Sequence, residues 1–183
     1  MDLILASASP RRRELLLEIA PTFSVVPSAF EERGELGAED TALAFARGKA
    51  EEVLSRYPDS LVLGADTVVS LDKKVFGKPR TREEAYAMLC ALSGKTHSVF
   101  TGVCLVKAGA RREGVVETKV TFFELSDEFI NGYIDGGSPF DKAGGYGIQD
   151  GGLVRSVEGS YTNVVGLPLE TVKIFLGQLG GRS

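Results

Sequence analysis

Tryptophan is absent, histidine occurs once, and cysteine and methionine occur twice each in the 183 residues. A single imidazole, His97, excludes every metal site or catalytic constellation that needs two; alone, it reads as a strand residue with a hydrogen-bond partner. Cys90 and Cys104 lie in apolar contexts with no CxxC pattern and no neighbouring histidine. Two buried, reduced thiols are expected, as in a reducing compartment. Long hydrophobic runs are lacking too. Mean hydropathy is +0.03, and no apolar stretch approaches the roughly 20 residues of a membrane helix. The opening Met1–Ala6 is too short for a signal peptide and has no basic flank, so it reads as a first strand of a soluble, cytoplasmic protein. Positive charge is not in excess: 21 Lys and Arg face 25 Asp and Glu, a net charge of −4. That balance argues against a nucleic-acid polymer as partner. A small anion needs only a local basic cluster, and remains open.

What is present is a chain long enough for one domain with a substantial core. Strand-like and helix-like runs alternate, without repeat, linker or low-complexity tract. Asp2–Ser7 and Phe23–Pro27 are strand-like, and Arg11–Ala20 carries Leu15, Leu16 and Ile19 at helical spacing. Glu31–Glu39 is polar and reads as a loop. Thr41–Arg56 places Leu43, Ala46, Ala50 and Val53 on one helical side. Ser60–Leu71 is β-rich, interrupted at Gly64-Ala65-Asp66-Thr67. Thr81-Arg82-Glu83-Glu84 is a capping box opening a helix to Leu92. Strands are predicted over Thr96–Val106 and Val115–Leu125, with a turn-rich Lys107–Gly114 between them. Ser126 caps a helix ending at Gly136-Gly137, and Ser138–Gly152 is an unusually long glycine-rich loop. A strand over Leu153–Val157 and a helix from Pro168 to Leu179 complete an α/β pattern with a mixed sheet.

Two segments carry chemistry. In Ser7-Ala8-Ser9-Pro10-Arg11-Arg12-Arg13, Ser9 suits an N-cap and Pro10 the first helical position. Three arginines then crowd the positive end of the helix dipole, where each cation costs about 0.3–1 kcal/mol before screening. Either an anion fills the turn, held by backbone N–H groups, serine hydroxyls and guanidinium forks, or the arginines face solvent or pair with Glu14 and Glu18. In Leu61–Val69, Asp66 is a carboxylate within an aliphatic run, expensive to bury unless paired or bound to a cation. Gly64 would let a ligand approach the backbone beside it. A bulge or strand end exposing Asp66 is the alternative. Lys78, in Gly77-Lys78-Pro79, and the helical Lys49 could meet phosphate or simply sit at the surface. In Asp141–Gln149, glycines permit positive φ, and Gln149 offers a donor and an acceptor to a base edge. Two look-alikes fail. Ser93-Gly94-Lys95-Thr96 has Leu89 where a P-loop needs glycine, and Gly144–Gly152 never forms GxGxxG after a strand.

In order and spacing, these segments together closely resemble the Maf family of nucleotide pyrophosphatases, joined by Glu31-Glu32, Ala46–Ala50 and Gly159–Leu169. The resemblance covers essentially the whole chain. It implies one domain of the Maf/ITPase-like type: an elongated, two-lobed α/β fold with a curved mixed sheet flanked by helices, usually a homodimer. It implies hydrolysis between the α and β phosphates with a divalent cation (magnesium, manganese or cobalt). The family's proton-accepting aspartate falls on Asp66. Its arginines, acidic residue and lysine fall on Arg11, Arg12, Glu32 and Lys78, its helical lysine on Lys49, and Ser7 joins the phosphate turn. Glu32 and Asp66 are the expected metal ligands. Arg11, Thr67 and Gln149 stand at the positions that divide the family by substrate. They match the branch that resembles dTTP/UTP pyrophosphatases; the 7-methyl-GTP branch carries tryptophan, glutamate and lysine. Ordinary or modified pyrimidine triphosphates are the implied substrates. The rival readings are a non-catalytic nucleotide-binding regulator linked to cell division, and a phosphatase releasing orthophosphate.

Overall fold

The computed structural model describes residues 1–33 and 36–180. The chain begins with β1 (Leu3–Leu5), α1 (Pro10–Leu17), β2 (Ser24–Val25) and α2 (Ala38–Arg56). The strands β3 (Leu61–Leu71) and β4 (Lys74–Phe76), then α3 (Arg82–Leu92), lead into β5 (Thr96–Lys107) and β6 (Ala110–Phe122). After α4 (Asp127–Asp135) come three short 3₁₀ turns, β7 (Val154–Glu158), α5 (Tyr161–Val165) and α6 (Leu169–Leu179). The sheet has seven strands in the order β2-β1-β3-β5-β6-β7, with β4 also on β3. β1 runs parallel to β2 and β3, and every other pairing is antiparallel, so the sheet is mixed as expected.

Local chemistry accounts for the helix starts. Ser9, Thr81 and Ser126 are N-caps whose hydroxyls accept from the N–H of Arg12, Glu84 and Phe129. The Glu84 carboxylate accepts from the Arg80 N–H at 2.7 Å, one residue earlier than a standard capping box. The core is divided along the long strands. Leu5, Leu16, Leu63, Leu105 and Leu167 pack on one face beneath α1 and α6. Ile4, Val62 and Cys104 meet Ala46, Ala50 and Val53 of α2 on the other. A further cluster around Phe76, Leu89, Phe122, Ile130 and Leu153 unites the far strand ends with α3 and α4.

Several expectations are corrected. β3 runs unbroken through Gly64–Thr67. Its glycine serves α2, not a ligand: a Cβ on Gly64 would lie 2.2 Å from the Ala46 carbonyl oxygen. Gly102 opposes Asp66 on β5, and a Cβ there would meet the Ala42 carbonyl at the same 2.2 Å. These two glycines let the helix axis come down onto the sheet. The turn expected over Lys107–Gly114 shrinks to Ala108-Gly109, because Lys107 already pairs with Ala110 and Gly109 takes φ of 75°. β6 ends at Phe122 instead of Leu125. Of the expected Glu31–Glu39 loop, residues 34 and 35 lie outside the described residues, and Ala38 and Glu39 already belong to α2. β4 and α5 went unread, being three and five residues long and too short for a periodic signal. Cys104 is buried, but Cys90 is exposed on α3.

Replacing Gly64 by Ala should force α2 off the sheet and cost about 3 kcal/mol. Gly132→Ala on α4 meets nothing within 4 Å and should instead gain about 0.5–1 kcal/mol. Urea unfolding of both variants checks the contrast, and equal stabilities would refute the close-approach argument.

Candidate active site

β3 is longer than its neighbours on one edge. Its pairing with β1 ends at Leu63, opposite Leu5, and its pairing with β4 begins at Val69, opposite Phe76. β5 occupies the other edge throughout, from Val62 to Ser70. Among the described residues the edge of β3 between β1 and β4 therefore has no strand beside it, and Asp66 and Thr67 stand in that gap. The turn after β1 and the start of α1 border it on one side. The loops after β4 and after α4 border it on the other. The open cavity between them measures about 1050 Å³ and is lined by Ser7, Arg11, Arg12, Glu32, Lys49, Asp66, Thr67, Lys78 and Gln149. The structure thus gathers in one place every site residue singled out from the sequence.

Among the described residues Arg12 is hydrogen-bonded to neutral groups alone. Its Nε donates to the Gly166 carbonyl at 2.8 Å, Nη2 to Thr67 Oγ1 at 3.0 Å and Nη1 to Ser7 Oγ at 3.5 Å. Among the described residues no carboxylate forms an ion pair with it. Burial pulls its pKa down from the ordinary 12.5, against the pull of Asp66, yet a guanidinium does not deprotonate in a protein. A half-buried positive charge held only by neutral acceptors is partly desolvated without compensation, and a bound anion would relieve it. Arg11 is turned the other way. It donates to Asp141 Oδ2 at 2.7 Å and to the Asp141 carbonyl at 3.2 Å, tying α1 to the loop that carries Gln149. Neither Glu14 nor Glu18 is its partner.

Asp66 is 8% exposed. Lys49 Nζ lies 2.6 Å from Asp66 Oδ1 and 2.6 Å from Glu32 Oε1, so one ammonium bridges two carboxylates. Lys49 reaches Asp66 because Gly64 and Gly102 bring α2 close. Glu32 reaches Lys49 because the preceding chain is fastened to α2: Glu52 accepts from Ser28 Oγ and the Ala29 N–H, and the Phe30 ring lies against Gly48. Burial raises the Asp66 pKa above its ordinary 3.8; Lys49 and Arg12 oppose this, and Glu32 adds to it.

Lys78 and Gln149 are exposed, and among the described residues neither side chain has a hydrogen-bond or ion-pair partner. Their loops are coupled, since the Gly144 N–H donates to the Gly77 carbonyl at 3.0 Å. Gly144 and Gly145 take φ of 69° and 72°, the positive values their residue type allows. Behind this loop, His97 Nε2 meets the Tyr146 hydroxyl at 2.7 Å within a buried aromatic cluster that includes Phe122. Burial pushes the imidazole down to about 4, so it is neutral at pH 7. Asp141 and Thr101 were missed as contributors. Arg11 and Asp141 are 130 residues apart, and no local pattern announces a contact at that separation.

A gap along one edge of a mixed sheet, a half-buried cation with no ion pair among the described residues and a buried carboxylate lining the same cavity define an α/β protein with a cavity suited to an anionic ligand. The "Maf-like protein" family model matches residues 2–179, and the chain belongs to the Maf family. A relative from Thermococcus onnurineus is 53% identical over 173 residues, covering 93% of this chain and 94% of that one. One from Myxococcus xanthus is 52% identical over 178 residues, 94% of this chain and 90% of that one. One from Carboxydothermus hydrogenoformans is 49% identical over 174 residues, 92% of this chain and 94% of that one. All three bear the name dTTP/UTP pyrophosphatase. The Staphylococcus aureus Ham1 protein structure matches with a TM-score of 0.48 at 15% identity over 69% of this chain and 73% of that one, too loosely to bear on function. Among the described residues no helix is long and apolar enough to cross a membrane.

Because the folded-state pKa of Asp66 is raised, the folded protein holds that proton more tightly than the unfolded chain does. The stability this provides is present at low pH and is lost as pH rises from the ordinary value through the raised one. The Asp66→Asn variant escapes the loss. Its stability relative to wild type should therefore increase between acid and neutral pH, read by urea unfolding at both. A gap that stays constant or narrows contradicts the burial argument.

Proposed function

We propose that this protein hydrolyses dTTP and UTP, and modified pyrimidine triphosphates of the same shape, to the monophosphate and pyrophosphate. The observation that carries the reading is the half-buried Arg12 guanidinium, held by neutral acceptors and with no ion pair among the described residues, sharing one cavity with the Lys49-bridged Asp66. The relatives' shared name supports the substrate class, and three steps of chemistry follow from the residues.

The triphosphate docks over the Ser7–Arg12 turn, where the Arg12 charge, the Ser7 hydroxyl and the N-terminus of α1 favour phosphate oxygens. Lys78, exposed and unpartnered among the described residues, closes on the β and γ phosphates from the opposite loop. Asp66 then accepts a proton from a water attacking the α phosphorus. The bond from that phosphorus to the α–β bridging oxygen breaks, and pyrophosphate leaves with the electron pair. A carboxylate raised by burial is a better base than one at its ordinary value. The charge that develops on the phosphoryl oxygens is met by Arg12, Lys49 and Lys78. Thr67 and Gln149 face the base.

The family implies a divalent cation, and the donor set fits one. Glu32 and Asp66 place two carboxylates around a single point that an ammonium now neutralises. Among the described residues no cluster of three or more His, Cys, Asp or Glu stands ready to hold a metal unaided. Magnesium, manganese or cobalt entering with the triphosphate would have its ligand set completed by the substrate's own oxygens. Bound there, the ion would supply charge neutralisation and a more acidic water. A homodimer and cytoplasmic residence, both implied by the family, complete the proposal.

Pyrophosphate release from dTTP with magnesium should be abolished by EDTA and restored by excess metal. Asp66→Asn should reduce it by about 10³-fold, and the acid limb of kcat/KM should lie above the ordinary carboxylate range. Orthophosphate as the product would point to a phosphatase. Tight dTTP binding without turnover would point to a nucleotide-binding regulator instead.

A further inference from the structure

Thr67 and Thr101 are cross-strand partners on β3 and β5, with their hydroxyl oxygens 2.9 Å apart. Thr101 is fully buried, and its hydroxyl also lies 3.0 Å from the backbone carbonyl of Asn163, likewise fully buried. That carbonyl can only accept. Among the described residues the Thr101 hydroxyl is the donor it has, so the single Thr101 proton goes there; turning it elsewhere would leave a buried carbonyl unpaired. α5 cannot drift to relieve this. The Asn163 side chain pins it by donating to the Val99 carbonyl at 3.1 Å and Thr118 Oγ1 at 3.0 Å.

The consequence passes to Thr67. With the Thr101 proton committed, the 2.9 Å contact is a hydrogen bond only if Thr67 donates. Thr67 Oγ1 also accepts from Arg12 Nη2 at 3.0 Å, and an arginine has no acceptor to offer in return. Both fixed partners therefore orient the Thr67 hydroxyl the same way: its proton is spent, and one lone pair remains. On the cavity wall Thr67 is an acceptor and not a donor. Gln149 has no such constraint. Its amide, unpartnered among the described residues, can turn its oxygen or its nitrogen to a ligand and so suits opposite hydrogen-bonding patterns.

We propose that Thr101, although it touches no ligand, sets the base preference by fixing Thr67 as an acceptor-only group. Thr67 then accepts from the ring N3–H of uracil or thymine and meets cytosine, whose N3 carries a lone pair, with repulsion. The inference rests on the reading of the cavity as a pyrimidine triphosphate site. Thr101 is a positioning residue, and a discriminating contact of fixed polarity is the kind that rejects a base lacking the matching group.

The test compares kcat/KM for pyrophosphate release from UTP and from CTP, with magnesium, in wild type, Thr101→Val and Thr101→Ser. Valine keeps the shape and removes the proton acceptor, so the Thr67 hydroxyl can turn and donate to cytosine. The CTP-to-UTP ratio should rise roughly tenfold, the equivalent of one re-formed hydrogen bond, through a lower KM for CTP. Thr101→Ser restores the hydroxyl and should keep the wild-type ratio. A folded Thr101→Val variant with the wild-type ratio, or a serine variant as permissive as the valine one, overturns the proposal. Should the valine variant fail to fold, wild type with N3-methyl-UTP decides. Loss of about tenfold or more against UTP supports the proposal, and turnover equal to UTP overturns it. Failure of the underlying reading is separately visible: wild type would then release no pyrophosphate from UTP at all.

Discussion

Two opposite charges are held largely out of water at one break in the sheet, and the architecture around them serves to make that tolerable. Asp66 is buried in the middle of a largely apolar strand, and Arg12 is half-buried in the first turn of the first helix. Neither pairs directly with the other. Asp66 is neutralised by Lys49, which also serves Glu32. Arg12 is left with neutral acceptors: a carbonyl and two hydroxyls. The carboxylate side is thereby balanced while the guanidinium side remains short of negative charge. That asymmetry is the electrostatic profile an anionic ligand would complete.

The glycines of the long strands matter because they set this balance at a distance. Gly64 and Gly102 have no direct part in the cavity. By admitting the backbone of α2 to within contact of the sheet, they fix the reach of Lys49 to Asp66. Gly48 does the same on the outer side of the helix, where the Phe30 ring settles and carries the Glu32 loop with it. Three positions without side chains thus decide where one ammonium sits.

The far wall is organised by loops. Arg11 and Asp141 join α1 to the glycine-rich loop, and the Gly144–Gly77 hydrogen bond joins that loop to the one bearing Lys78. The Asp141 side chain is 58% exposed, so this pair adds little to stability. Its effect is positional: the Ser7–Arg12 turn and the Asp141–Gln149 loop are linked, and Gln149 is carried on that linkage. His97 and Tyr146 support the same loop from inside the core.

Much of this was written in local pattern. Ser9, Thr81 and Ser126 announced their helix starts because capping is a matter of a few adjacent residues. The anomalous arginines at the start of α1 and the carboxylate within Leu61–Val69 stood out because each breaks a rule that short-range physics enforces, and Arg11, Arg12 and Asp66 line one cavity. The expectations about long-range partners fared differently. Gly64 seemed to make room for a ligand and makes room for a helix. Arg11 had Glu14 and Glu18 within reach along the chain and instead found Asp141, 130 residues away. Cys90, in an apolar stretch, turned out exposed because α3 buries only Ala85, Leu89 and Leu92. The sequence by itself determined which residues are chemically out of place, since that depends on neighbours in the chain. Only the tertiary structure decided what each one faces. The Thr101 to Thr67 hydroxyl chain and the Lys49 bridge come from strand register and helix depth, and neither leaves a trace in local order.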